Sequence, residues 1–176
     1  MRPEMFDELL NRVGPRITKE DTNYRKALEP GLKLAATIRH LASGDTYSTL
    51  QYDFRVARNP CSVFIPEVCQ AIVDILKGEV ISCPVTPDGW RPLADEFLKR
   101  WNVPHASAAT DGKHVAVRKP PGSGSLYFNY KGFFSVVLMA LVDADYKFVC
   151  IEVGGHGSMS DAHIYNASEL MVVFVR

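Results

Sequence analysis

The chain has 176 residues, 47% hydrophobic and 23% charged, with 20 Lys+Arg balanced by 20 Asp+Glu. Such a composition fits one globular domain or two small ones and excludes a low-complexity chain. Zero net charge excludes attraction of nucleic acid by a global field, so any such contact has to come from local basic patches.

The opening residues, 1–10, carry acids among their apolar positions and contain no uninterrupted apolar segment of the kind that directs export. The longest apolar stretch, Phe133 to Val142, is interrupted by Ser135 and is too short to span a bilayer. No membrane role is expected. Cys61, Cys69, Cys83 and Cys150 have no C-x-x-C spacing and read as reduced, buried thiols, which suits the cytoplasm or nucleus.

Residues 1–83 read as helical. Met5, Phe6, Leu9, Leu10 and Val13 recur at helix spacing, and Gly14-Pro15 is expected to stop that pattern. A second helix has Leu32, Leu34, Ala35, Ile38 and Leu41 on its apolar side and Gly44 as its stop. Asp45 or Thr46 can cap a short third helix. A break at residues 54–58 precedes Asn59-Pro60, an N-cap followed by a first-turn proline, and the helix that follows should reach Gly78. Pro66 should kink that helix or displace its start. The pattern fits a helix-turn-helix or a plain helical bundle. Arg55 and Arg58 flank the turn and are the expected phosphate contacts.

Residues 84–104 read as a Pro-rich connector with a short helix from Leu93 to Trp101 that buries Phe97 and Trp101. From residue 105 to 176 the periodicity changes to strands. Ala108 to Val117 alternates around Asp111, with Val115 and Val117 on one side. Phe133 to Val142 predicts a strand covered on both faces. Asp143-Ala144-Asp145 predicts a turn, and Tyr146 to Val153 the returning strand. After a Gly154–Gly157 loop, Ser160 should cap a helix from Asp161 to about Val175. The fold class is therefore α+β or α/β: a helix-turn-helix-like helical domain, then the first strands and helix of an RNase H-like fold.

Asp111 is an acid in the middle of a strand, against strand propensity. It reads either as a ligand for Mg²⁺ or Mn²⁺, which take oxygen donors, or as half of an Asp111-Gly112 hairpin turn. Asp161 reads either as a second ligand or as a helix-start acid favoured by the macrodipole. Residues 112–131 hold Lys113, Arg118, Lys119 and Lys131 with no acid, interleaved with Tyr127, Phe128 and Tyr130. A loop of this kind suits a phosphate backbone track, or it is simply solvated. His114, His156 and His163 fit no zinc spacing.

The stretch from Thr110 to Val115, the run Asn129-Tyr130-Lys131-Gly132-Phe133-Phe134-Ser135, and Val142 to Tyr146 together resemble the DDE domain of Harbinger-type transposases and their domesticated nuclease relatives. Gly154 to Asp161 resembles that family's Gly-rich segment with its Ser-Asp pair. Upstream, Phe6 to Leu10, Leu41 to Gly44 and Pro66 to Cys69 resemble the helices that precede the nuclease. The resemblance implies a metal-dependent endonuclease acting on DNA phosphodiesters, with Asp111 as its first catalytic acid and Asp161 as a metal ligand. Relatives continue with a further strand bearing a Gly-Asp-x-Gly-Tyr-like motif and a helix with the catalytic Glu. The expectation is thus a site cut short at Arg176, inactive alone, with an exposed sheet edge. The resemblance also implies nuclear placement and a protein partner that assists import. The competing reading is a DNA- or protein-binding module left over from a transposase.

Overall fold

The computed structural model describes residues 1–168, which run as α1 (Pro3–Ile17), α2 (Pro30–Ser43), α3 (Tyr47–Phe54), α4 (Arg58–Val80), α5 (Pro87–Trp101), β1 (Ala109–Ala116), β2 (Ser135–Val142), β3 (Phe148–His156) and α6 (Asp161–Ala167). The protein is α+β. Its contacts divide into two compact units, Met1–Gly78 and Glu79–Arg176. No described helix is long and apolar enough to cross a membrane.

Local signals explain most helix ends. Pro3 opens α1, Glu4 sits in its first turn and Arg16 in its last, as the helix dipole favours. Gly14-Pro15 does not stop α1 as the sequence suggested. Pro15 falls in the last turn, where its missing N–H costs a single bond, and Thr18 closes the helix with its N–H and Oγ1 both on the Gly14 carbonyl, at 3.0 and 2.8 Å. Gly44 ends α2 with φ 70° and its N–H on the His40 carbonyl. Thr46 caps α3 by accepting from the Thr49 N–H.

Two expectations about α4 change. The helix begins at Arg58, so Asn59 lies inside the first turn and is not the cap. The helix also runs unbroken through Pro66, whose ring is exposed while Phe64, Ile65 and Val68 around it are buried. Packing of that buried face holds a helix that proline alone would interrupt. The first unit's core is Val13, Ile17, Leu34, Ala36, Leu50, Val56, Cys61, Phe64, Ile65, Val68 and Ala71.

The segment expected as a connector holds a full helix. Thr86 caps it, and Pro87 and Asp88 form its first turn, so α5 starts six residues before Leu93. Phe97 is buried as expected, but Trp101 is 49% exposed and is held by its indole N–H on the Ala144 carbonyl at 3.0 Å.

The sheet has the order β1-β2-β3, antiparallel throughout. In β2 one face (Ser135, Val137, Met139, Leu141) is fully buried and the other half-buried, so this strand is not covered equally on both sides. Ile164 of α6, with Trp90 and Leu93 of α5, packs on Val137, Met139 and Leu141. The returning strand extends through Gly154, Gly155 and His156, which were expected to loop, with irregular pairing opposite Val137/Leu138. Val115 is 45% exposed, and Val117 lies just past β1. Asp143 shapes the β2–β3 turn by accepting the Asp145 and Lys147 N–H groups at 2.8 and 2.9 Å. Ser160 caps α6 as expected; the expected continuation to Val175 lies outside the described residues.

All four cysteines are free, but only Cys61 is buried. Partial burial, with the neighbouring Cys150 thiol, pushes the half-buried Cys83 thiol up to about 12. A raised thiol pKa favours the protonated folded form, a contribution complete below the unfolded value of about 8.5 and lost as pH climbs toward 12. At pH 8, Cys83 should therefore alkylate with iodoacetamide more slowly in the folded chain than in urea, as peptide mass spectrometry would show. Equal rates would contradict the burial.

The long β1–β2 connection is organised by Asn129, which is 2% exposed. Its side-chain carbonyl accepts the Lys131 and Phe133 N–H groups at 3.0 and 3.2 Å, and its amide donates to Ser135 Oγ at 2.9 Å. Its backbone N–H donates to the Phe133 carbonyl. Replacing Asn129 with Ala leaves two loop N–H groups and the Ser135 hydroxyl without that partner. A loss of about 1–3 kcal/mol is expected in urea unfolding, because buried donors keep their desolvation cost. A change within error would remove Asn129 as the organiser.

Candidate functional site

The site begins with β1. Asp111 pairs with Ala140 and Gly112 with Met139 in the middle of the ladder, so the Asp-Gly pair is strand and not a hairpin turn. Side chains alternate along a strand, which puts Thr110 and Gly112 on the α6 face with Met139 and leaves Asp111 and Lys113 on the other face with Ala140 and Leu138.

Asp161 starts α6, in the first turn after the Ser160 cap. Its carboxyl group lies directly over Gly112: a Cβ built there would sit 2.6 Å from the Asp161 carboxyl carbon. Only glycine permits this approach. Gly155 serves α6 in the same way, since a Cβ there would meet Ile164 Cδ1 at 2.6 Å. The two acids, 50 positions apart in sequence, therefore line one cavity of about 240 Å³, together with Thr110, Gly112, Met139, Ala162 and Tyr165. Asp111 also borders a cavity on the opposite face with Lys113, Leu138 and Phe148. The carboxylates flank the backbone of β1 from its two sides and are both exposed. Among the described residues, no group of three or more His, Cys, Asp or Glu is placed to hold a metal ion.

His114 does not join them. Its Nδ1 shares a hydrogen bond with Ser135 Oγ at 2.9 Å, and its ring stands edge-on to Tyr130 and Phe133. His156 stacks edge-on with Tyr127 at 4.9 Å. Both histidines serve the loop.

The basic residues fall in separate places. Lys119 lies over the Phe134 ring at 5.5 Å and Lys131 over the Tyr130 ring at 5.4 Å. Tyr130 is 82% exposed, so the Asn129 loop presents an aromatic and a cation together. Lys113 projects from β1 on the Asp111 face, and Arg118 is exposed just beyond the strand. In the helical unit, Arg55 caps the C-terminus of α3 in the left-handed region at φ 53°, and Arg58 opens α4. Both are exposed and in no ion pair among the described residues. Sequence reading missed Asn129 and Ser135 as organising residues. The run of motif residues around them was visible, but a buried polar hub leaves no periodic trace.

The family described as DDE superfamily endonuclease matches residues 110–174, a span that runs from the second residue of β1 through the Asn129 loop and α6. "Putative nuclease HARBI1" of Rattus norvegicus is 24% identical over 166 residues, covering 94% of this chain and 47% of that protein. The Homo sapiens protein of the same name is 22% identical over the same length. "Protein ALP1-like" of Arabidopsis thaliana is 23% identical over 162 residues, 89% of this chain and 39% of its own. No solved structure matches. The chain spans about half the length of the HARBI1 proteins it matches. Residues 110–174 are thus similar to the DDE superfamily endonucleases, and the chain as a whole is similar to the HARBI1 and ALP1-like proteins.

Proposed function

We propose that this chain forms the first part of a metal-dependent DNA endonuclease, with Asp111 and Asp161 as carboxylate ligands of a divalent cation. The observation that carries the reading is the approach of Asp161 to Gly112, next to Asp111 in β1 and inside the span matched by the endonuclease family; the two carboxylates stand on opposite faces of that strand, so one ion would meet both around the strand's edge. The donor set fits a hard ion such as Mg²⁺ or Mn²⁺ as far as it goes: two carboxylates from two elements, with no thiol or imidazole among the cavity's lining. Two carboxylates fill fewer positions than such an ion takes, so water, DNA phosphate and acids supplied elsewhere in the whole protein would complete it. When bound, the ion would polarise the phosphoryl oxygen and lower the pKa of an attacking water.

The chain's own residues hold and orient. Asp161 is fixed by its place in the first turn of α6, directly after the Ser160 cap. Thr110, beside Asp111, donates to Met139 Sδ at 3.6 Å and ties β1 to β2. Lys119, Lys131 and Tyr130 give the loop cations and a stacking ring for the DNA backbone and bases, without sequence readout. Arg55 and Arg58 supply phosphate contacts on the helical unit, and helices α2 to α4, joined by three-residue turns, suit a helix-turn-helix. A binding module is the second reading, favoured by the fact that the described residues offer only two carboxylates to the metal.

Mn²⁺ titration followed by electron paramagnetic resonance separates metal binding from catalysis. Asp111→Asn and Asp161→Asn should each weaken Mn²⁺ binding about tenfold or more, the order of effect seen when a ligand or its support is removed. Gly112→Ala should do the same by displacing Asp161. Mn²⁺ binding unchanged in all three would reject the site. In a chain extended to its relatives' length, Asp111→Asn should also abolish nicking of plasmid DNA.

DNA binding is tested separately on the helical unit's arginines. Arg55→Gly keeps the left-handed backbone, which glycine adopts freely, and removes the charge. Combined with Arg58→Ala it should weaken binding to duplex DNA and reduce the slope of log K against log salt by about 2, one for each phosphate that is no longer neutralised. An unchanged slope would reject those two residues as phosphate ligands.

A further inference from the structure

A cavity of about 420 Å³ opens within the helical unit, between the segment from Lys19 to Lys33 and the start of α4. The buried Phe64, the half-buried Leu28, and Pro60 with the 55%-exposed Val63 give it an apolar lining. The exposed Lys19, Arg25 and Lys26 bring positive charge to the same cavity. Lys33 adds a fourth cation, and it is 3% exposed.

Lys33 donates to the Ile17 carbonyl at 2.7 Å, which satisfies an otherwise unpaired acceptor in the last turn of α1. That bond uses one of the three ammonium donors. Burial and the charge of Lys19 lower its pKa, and only Glu67 opposes them. Glu67 is already paired with Lys19 at 2.8 Å. Glu20 is the one acid among the lining residues, so the cavity carries a surplus of positive charge over an apolar surface. A structural role for Lys33 accounts for its own bond but not for Arg25 and Lys26, which form no ion pair among the described residues.

We propose that this cavity docks an acidic segment of a partner protein, with one apolar side chain against Leu28 and Phe64 and flanking carboxylates on Arg25, Lys26 and Lys33. Charge complementarity selects an acidic occupant, and the concave apolar lining selects a peptide over a nucleic acid. A phosphate backbone has no apolar group to fill such a pocket, whereas Phe or Leu between Asp and Glu has both. At about 420 Å³ the cavity is in the range of small-ligand pockets and has room for an anchoring side chain with its neighbours.

The test is fluorescence polarisation with the full chain and a short labelled peptide that alternates Phe and Leu with Asp and Glu. Saturable binding is expected. Arg25→Glu with Lys26→Glu should weaken it about tenfold or more, as reversing charge across an interface does. Val63→Asp should also weaken it, and so should replacing the peptide's acids with Asn and Gln. These three positions are exposed, so circular dichroism should show the variants folded. No saturable binding, or binding that ignores both the charge reversal and the amidated peptide, overturns the proposal. So does a duplex DNA that binds through Arg25 and Lys26 while the peptide fails to compete with it.

Discussion

Helix α6 rests on the sheet at two places where a side chain is missing. At Gly155 the gap admits Ile164, the residue that joins α6 to the core of Val137, Met139 and Leu141. At Gly112 the gap admits the Asp161 carboxylate. The first approach supplies energy, since a buried isoleucine side chain contributes on the order of 1.5–3 kcal/mol. The second offsets some of it by bringing a charge against a strand. The acid is thus located by apolar packing one turn away from it, and the cavity shared with Asp111 follows from that packing.

The other organising group is polar. Asn129 folds the β1–β2 loop by giving its N–H groups a buried acceptor. It also joins Ser135, and through Ser135 reaches His114. Tyr130 and Lys131 then stand in solvent on a defined backbone, with Tyr130 edge-on to His114 and Lys131 over the Tyr130 ring. An aromatic and a cation held this way lose less entropy when they meet a ligand than they would on a floppy loop.

Much of this was legible in the sequence where one residue type has one physical use. Gly44, Thr46 and Ser160 announced their helix ends, and Asp143 its turn, because a left-handed cap, a capping hydroxyl or an Asx turn acts locally. Gly14-Pro15, Pro66 and the Pro87–Pro92 segment misled because proline's penalty is also local and packing overrode it. Buried faces of α1 and α4, and the docking of Trp90 and Leu93, made continuation more favourable than a break. The strand through Gly154 to His156 was hidden for a related reason: glycines read as loop until a helix is known to lie on them. For the site, the identity of Asp111 and Asp161 as candidates came from resemblance and chemistry. Their shared cavity depends on strand register and on the space over Gly112, neither of which has a sequence period. The alternation that sets Asp111 on the opposite face from α6 is likewise a matter of register.

Strand β1 pairs only with β2 among the described residues, which leaves its other side with unpaired N–H and C=O groups. Any strand of another copy could extend the sheet there, since main-chain pairing asks little of sequence. Asp111 and Lys113 stand on that border, two charges that a second strand would have to desolvate. The acid expected to serve chemistry therefore also guards the sheet's margin.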